Sequence, residues 1–265
     1  MRVLALDFDG VISDSVVESF AVALRTMARR APGPFWSQSL ARVQGADAAT
    51  IRSDSLYRGF LELMPLGNRA EDFGVALSLL EAGGVVKDQA GFDRFGEGLG
   101  ADFLSEFHAS FYKEREALRA LDPAAWLGLL GPFSGFVELL QRRSGDRTLA
   151  LATAKDRASV DLLLGAYGIA NLFPEERVID KEAGRSKRAH LSRLRERMDV
   201  AFDQITFVDD KLNHLDDVSG LGVRCALAAW GYNGERERRL ASERGFLVCD
   251  LASAEASLFG PEDGE

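Results

Sequence analysis

Cysteine is almost missing from this chain. Only Cys225 and Cys249 occur, far apart and without Cys-x-x-Cys spacing, so neither a disulfide framework nor a cysteine zinc site is encoded. Histidine is nearly as scarce, and His108 and His190 have no ligand partners at helical spacing. Positive charge is in deficit: 32 Lys and Arg against 41 Asp and Glu give a net charge of −9 and a pI near 5.0. Nucleic acid is therefore excluded as the main partner, because phosphate neutralisation needs a basic face. An anionic substrate is not, since a few local cations or a bound metal override the global sign. Long apolar runs are absent too. Trp126-Leu127 and Leu129-Leu130 around Gly128 fall far short of the ~18 residues of a membrane span. Met1-Arg2 leads directly into Val3-Leu4-Ala5-Leu6 and then Asp7, with no cleavable leader pattern, and no Asn-x-Ser/Thr site occurs. Cytoplasm is the expected setting, with no membrane partner.

What is present is an ordinary globular balance. The 265 residues are 46% hydrophobic and 28% charged, enough for one or two domains. Residues 2–6 form a short apolar run bounded by charge, the pattern of a strand buried on both faces of a parallel sheet. A helical period follows from about Asp14 to Arg30, with Val16, Val17, Phe20, Ala23, Leu24 and Met27 on one stripe, and Ala31-Pro32-Gly33-Pro34 ends it. From Phe35 to about Gly131 no strand is expected. Helices are expected near 37–62, 69–82, 88–95 and 101–120, an all-helical insertion large enough to be its own domain. After Gly131-Pro132 the strand–helix alternation returns. Strands are expected at 149–152, 178–179, 205–208, 223–227 and 246–249, with helices at 134–143, 156–168 and 185–198. The expected architecture is α/β: a Rossmann-like, doubly wound parallel sheet built from 1–15 and 131–265, with an all-helical cap over 16–130.

In open α/β sheets the working site lies at the carboxyl ends of the strands. The first strand runs into Asp7-x-Asp9. The strand at 149–152 runs into Thr153, the helix at 185–198 carries Lys187 in its first turn, and the strand at 205–208 runs into Asp209-Asp210. Four carboxylates, a hydroxyl and an ammonium on one sheet edge suit a divalent metal and a phosphoryl group.

In this order and context, Asp7-Phe8-Asp9-Gly10-Val11, Thr153, Lys187 and Asp209-Asp210 resemble motifs I to IV of the haloacid dehalogenase superfamily. The resemblance covers about 1–15 and 131–265, and the helical insertion occupies the slot of that superfamily's C1 cap. Asp7-Phe8-Asp9-Gly10-Val11-Ile12-Ser13-Asp14-Ser15 and Ala152-Thr153-Ala154-Lys155 look most like its phosphoglycolate-phosphatase-like hydrolases. The resemblance implies a Mg²⁺-dependent phosphatase acting on a small phosphorylated metabolite. Asp7 would attack phosphorus to give an aspartyl-phosphate, and Asp9 would protonate the leaving alkoxide and later deprotonate water. The implied Mg²⁺ ligands are the Asp7 carboxylate, the Asp9 backbone carbonyl and the Asp210 carboxylate, with Asp209 orienting that sphere. Thr153, Ala154 and Lys187 are the implied phosphate-binding residues, Lys187 also balancing charge on the nucleophile.

Plainer explanations stand beside these assignments. Aspartates at strand ends are often turn formers, and Thr153 alone would be a helix cap. Lys155 and Lys181 rival Lys187 for the ammonium's role. The Arg/Lys-rich helix with Arg185, Lys187, Arg188, Arg193, Arg195 and Arg197 keeps Leu191, Leu194 and Met198 as an apolar stripe, as a solvated amphipathic helix would. Gly96-x-Gly98-x-Gly100 follows no strand and fails the dinucleotide test. Trp230-Gly231-Tyr232-Asn233 reads equally as site rim, core packing or turn. One departure from the family pattern concerns motif IV, where His214 stands in place of the commonest second acid. Rival functions are a phosphomutase of the β-phosphoglucomutase kind, a metal-free dehalogenase and a catalytically silent binding protein. For substrate choice the insertion offers Arg58, Lys87, Arg94 and His108 without ranking them, and nothing specifies an oligomeric state.

Overall fold

Val3–Leu6 (β1) is buried along its whole length, so helices or chain must cover both faces of the sheet it belongs to. In the computed structural model, which describes residues 2–67, 69–184 and 186–260, β1 is central in a six-stranded sheet. Its other strands are β4 (Thr148–Ala152), β5 (Val178–Ile179), β6 (Ile205–Asp209), β7 (Arg224–Ala228) and β8 (Leu247–Cys249). The order is β5-β4-β1-β6-β7-β8, and every pairing is parallel. The chain steps outward from β1 through β4 to β5 and then crosses to β6 on β1's other side. That reversal opens a crevice at the carboxyl ends of β4, β1 and β6. A separate antiparallel pair joins β2 (Ser13–Asp14) to β3 (Gly131–Pro132), Asp14 facing Gly131.

The chain divides into two compact units, Met1–Asp14 with Gly131–Glu265, and Ser15–Leu130. The sheet unit carries helices α9 (Ser134–Arg143), α10 (Arg157–Ala166), α11 (Lys187–Met198), α12 (Leu212–Ser219), α13 (Glu235–Glu243) and α14 (Ala254–Phe259), numbered after the eight of the other unit. One face of the sheet packs Ala5, Ala150, Ile205 and Phe207 against Leu191 and Leu194 of α11 and Leu215 and Val218 of α12. The helices α12 to α14 go beyond the sequence pattern, because each is short and its apolar positions are few. Arg185, at the expected start of the basic helix, lies outside the described residues.

The second unit is all helix: α1 (Val16–Arg30), α2 (Pro34–Val43), α3 (Ala48–Ser53), α4 (Ser55–Leu63), α5 (Ala70–Glu81), α6 (Gln89–Leu99), α7 (Ala101–Leu121) and α8 (Pro123–Gly128). The expected helix over 37–62 is three. Gly45 adopts a φ of 75°, and the Asp47 and Asp54 carboxylates accept from the amides of Thr50 and Leu56, each at 2.8 Å. Each aspartate starts a new helix, because a side-chain acceptor satisfies amides that the helix cannot. Pro32-Gly33-Pro34 turns the chain between α1 and α2 inside this unit. The unit's core is aromatic, with Phe20 5.4 Å from both Tyr57 and Phe60 and Phe73 5.5 Å from Phe111. The fully buried Glu18 accepts two 2.7 Å bonds from Arg115 and one of 3.1 Å from Trp126 Nε1, tying α1, α7 and α8 by a satisfied ion pair. No described helix is long and apolar enough to cross a membrane.

Candidate active site

The four aspartates meet at the crevice. Asp7 directly follows β1, and its amide donates to Val208 O at 2.9 Å, extending the β1–β6 ladder by one residue. Phe8 then turns the chain: its carbonyl accepts from the amides of Ile12 and Ser13 at 2.9 Å each. This tight turn takes Asp9 off the strand line, so two acids of Asp-x-Asp serve one crevice instead of opposite faces. Asp209 ends β6, and Asp210 follows. Asp7, Asp209 and Asp210 are buried, whereas 37% of the Asp9 side chain is exposed.

Three buried lysines meet these acids where the sequence suggested one. Lys187, the first residue of α11, lies 2.6 Å from Asp7 Oδ1 and 3.2 Å from Asp209 Oδ2, and donates to Ala152 O at 2.9 Å. Lys155 lies 2.9 and 3.2 Å from the two oxygens of Asp9. Lys211 donates to Tyr232 O at 3.4 Å and supplies positive charge near Asp210. The rivalry between Lys155 and Lys187 is thus a division: Lys187 faces the acids of β1 and β6, and Lys155 faces Asp9. Lys181, the other rival, is 40% exposed and sits 3.9 Å from Glu182.

Thr153 is buried just past β4. Its amide donates to Ile179 O at 2.9 Å, and its hydroxyl accepts from the Lys155 amide at 3.1 Å. Ala154 is exposed in the bend between β4 and α10. His214 replaces an expected acid with an imidazole: its Nδ1 is 3.1 Å from both oxygens of Asp209. Asp209 therefore sits in a polar network with Lys187 and His214. Among the described residues, the three potential ligand atoms found within 4.8 Å of one another come from Asp7, Asp209 and His214. That trio differs from the expected ligands Asp7, Asp9 and Asp210, and the Lys187 ammonium already bridges two of its members. The Asp9 side chain faces Lys155, which leaves its main-chain carbonyl as the oxygen it could give a metal.

The seat of Asp210 was legible only as an ambiguous tetrapeptide. Asp210 Oδ2 accepts from the Tyr232 amide at 2.8 Å, and its carbonyl accepts from Asn233 Nδ2 at 3.1 Å. Asn233 is held in turn by Arg238 Nε at 2.9 Å. Trp230 Nε1 donates to Val11 O at 3.0 Å, and Tyr232 Oη to Asp14 at 2.9 Å. Gly10 takes a φ of 82°, and a Cβ there would lie 2.4 Å from the Asp210 carboxyl carbon, which is why glycine follows Asp9.

Burial dominates the electrostatics of the acids. Burial, opposed by Lys187 and reinforced by Asp209, raises the pKa of Asp7. Burial raises Asp210 to about 7, against Lys211 and with the charges of Asp209 and Asp7 adding to it. Burial pulls Lys187 down, but the charges of Asp7 and Asp209 outweigh it and raise its pKa. Asp209 is lowered, because the charges of His214 and Lys187 overcome its burial. Burial disfavours the charged forms of Asp7 and Asp210, and neither lysine charge beside them outweighs it. A divalent ion held by Asp7 and Asp210 would offset that cost, and an all-oxygen donor set suits a hard cation.

A central parallel sheet with acids at its carboxyl edge and an all-helical insertion between β2 and β3 is a fold shared with solved haloacid dehalogenase-like hydrolases. The comparisons agree at the level of fold. A haloacid dehalogenase-like hydrolase from Streptococcus pneumoniae aligns over 97% of this chain and 98% of its own, at 16% identity and a TM-score of 0.60. A Lactobacillus delbrueckii protein provisionally described as a phosphoglycolate phosphatase aligns over 98% and 100%, at 14% identity and a TM-score of 0.68. A hydrolase of this family from Deinococcus radiodurans, solved with bound phosphate and sodium, aligns over 97% and 95%, at 14% identity and a TM-score of 0.53. No family model and no curated protein matches the chain.

Proposed function

We propose that the protein is a metal-dependent phosphatase that hydrolyses a small phosphorylated metabolite through an aspartyl-phosphate on Asp7. The observation that carries this reading is the Asp7–Lys187–Asp209 contact beside Asp210, a nucleophile with an ammonium on one oxygen and an acid-rich cation seat beside it. The phosphoglycolate-phosphatase-like fold of the neighbours supports it.

Asp7, Asp210 and the Asp9 carbonyl would hold the Mg²⁺, which supplies charge neutralisation between two carboxylates and a phosphate dianion. Lys187 holds Asp7 Oδ1, so the other Asp7 oxygen is the one that bonds to phosphorus as the phosphorus–leaving-group bond breaks. The Asp9 proton passes to the leaving oxygen. Asp9 then takes a proton from water as the water oxygen bonds to phosphorus and the Asp7–phosphorus bond breaks, releasing inorganic phosphate. Thr153 and the exposed turn at Ala154 are assigned to the phosphoryl oxygens, and the helical unit is assigned the role of a cap on its place in the chain between β2 and β3. Release of phosphate from p-nitrophenyl phosphate with Mg²⁺, lost in Asp7→Asn, tests the assignment; turnover unaffected by Asp7→Asn would overturn it.

A further inference from the structure

Asp9 is the one acid of the site that is not buried, and its charge partner is the reverse. The Lys155 side chain is 1% exposed against 37% for Asp9. An ammonium taken from water is unfavourable unless a carboxylate meets it, and here Nζ reaches both Asp9 oxygens, at 2.9 and 3.2 Å. The lysine itself is fixed at its root. Its amide donates to Thr153 Oγ1, its carbonyl accepts from Lys181, and Nζ lies 6.0 Å from the ring centroid of Phe8, the residue between Asp7 and Asp9. A two-oxygen grip from a buried, anchored cation restricts the rotation of an otherwise half-exposed side chain.

We propose that Lys155 is a positioning residue: it holds the Asp9 carboxyl at the one orientation from which proton transfer to the leaving oxygen is possible. The proposal rests on the phosphatase reading above and on Asp9 as its acid and base. Lys155 acts through Asp9 and does not itself touch the leaving oxygen. Its effect must therefore appear only where Asp9 matters, in proportion to how badly the leaving group needs a proton.

The test compares p-nitrophenyl phosphate, whose leaving group needs little protonation, with benzyl phosphate, whose alkoxide needs it. kcat/KM is the quantity compared, since it reports the step that breaks the leaving-group bond. Lys155→Met should leave kcat/KM for p-nitrophenyl phosphate within about threefold and lower that for benzyl phosphate by about a hundredfold. In an Asp9→Asn background the same substitution should cost nothing further on either substrate. Lys155→Gln serves equally if the methionine variant fails to fold. Equal losses on both substrates, or a loss additive with Asp9→Asn, would overturn the proposal and make Lys155 a phosphate contact or a packing residue. A wild-type protein that hydrolyses neither substrate would overturn the phosphatase reading, and this proposal with it.

Discussion

Gly231 and Asp210 touch with no space between them. A methyl group on Gly231 would lie 2.3 Å from Asp210 Cβ and 2.4 Å from the Gly10 carbonyl oxygen. Two backbone segments and a buried acid thus converge on an atom that is not there. Gly231→Ala should displace Asp210, costing about 1–3 kcal/mol of stability as overpacking does. It should also raise the Mg²⁺ concentration for half-maximal activity. Urea unfolding and a Mg²⁺ titration of phosphatase rate check both, and an unchanged Mg²⁺ requirement would detach Asp210 from the metal.

Asp7→Asn should separate activity from stability. Turnover should fall by several orders of magnitude, as removal of a covalent nucleophile does. The melting temperature without metal should hold or rise, because the substitution removes a carboxylate whose charge burial disfavours and leaves Lys187 its contact with Asp209. Calorimetry beside a phosphate-release assay reads both. A marked drop in melting temperature would show that the Asp7–Lys187 pair stabilises the fold.

Chelation should stop hydrolysis and Mg²⁺ should restore it. The same ion should raise the melting temperature of the wild type through binding to the folded state alone, and raise it much less in Asp210→Asn. Full activity in chelator would refute the phosphatase reading in its metal-dependent form.

His190 gives a pH dependence away from the acids. It is buried on α11, its Nε2 faces Gly184 O at 2.8 Å, and burial with the Lys187 charge lowers its pKa to about 4 from 6.5. The folded state therefore refuses a proton that the unfolded chain accepts. Stability should be unaffected above pH 6.5 and decline between pH 6.5 and about 4, by up to about 3 kcal/mol. His190→Gln, whose amide can still donate to Gly184, should flatten that part of the profile. Parallel slopes for both proteins in urea unfolding at several pH values would count against the assignment.

The sheet and the cluster at its carboxyl edge were legible in the sequence, because buried parallel strands are short apolar runs and three of them, β1, β4 and β6, run into Asp7, Thr153 and Asp209-Asp210. Asp7, Thr153, Lys187 and Asp209-Asp210 could be read that way. The partners of those residues could not. Lys155 could be offered as a rival to Lys187, but nothing in Ala154-Lys155-Asp156 says that its stem turns inward to Asp9, since most lysines in turns are solvated. Lys211 was hidden for the same reason. His214 read as a departure from the family pattern, whereas in space it is a partner of Asp209. Trp230 to Asn233 stayed ambiguous because their role rests on backbone amides and on the missing side chain of Gly231, neither of which leaves a composition signal. Within 37–62, hydrophobic periodicity continued across two aspartate caps, and local capping overrode it.

The two-residue pairing of β2 with β3 has a consequence for how such a chain can change over time. Asp14 lies opposite Gly131, so everything from Ser15 to Leu130 departs and returns through one narrow doorway. Closing a loop at fixed ends depends only weakly on its length, each doubling costing about 0.6 kcal/mol. The sheet unit is therefore nearly indifferent to how many residues are housed between those two positions. A shorter or longer insert, or one of unrelated sequence, could be exchanged at that doorway with the ladder between β1, β4 and β6 left as it is. The acidic edge and the helical insert are in this sense free to diverge at different rates.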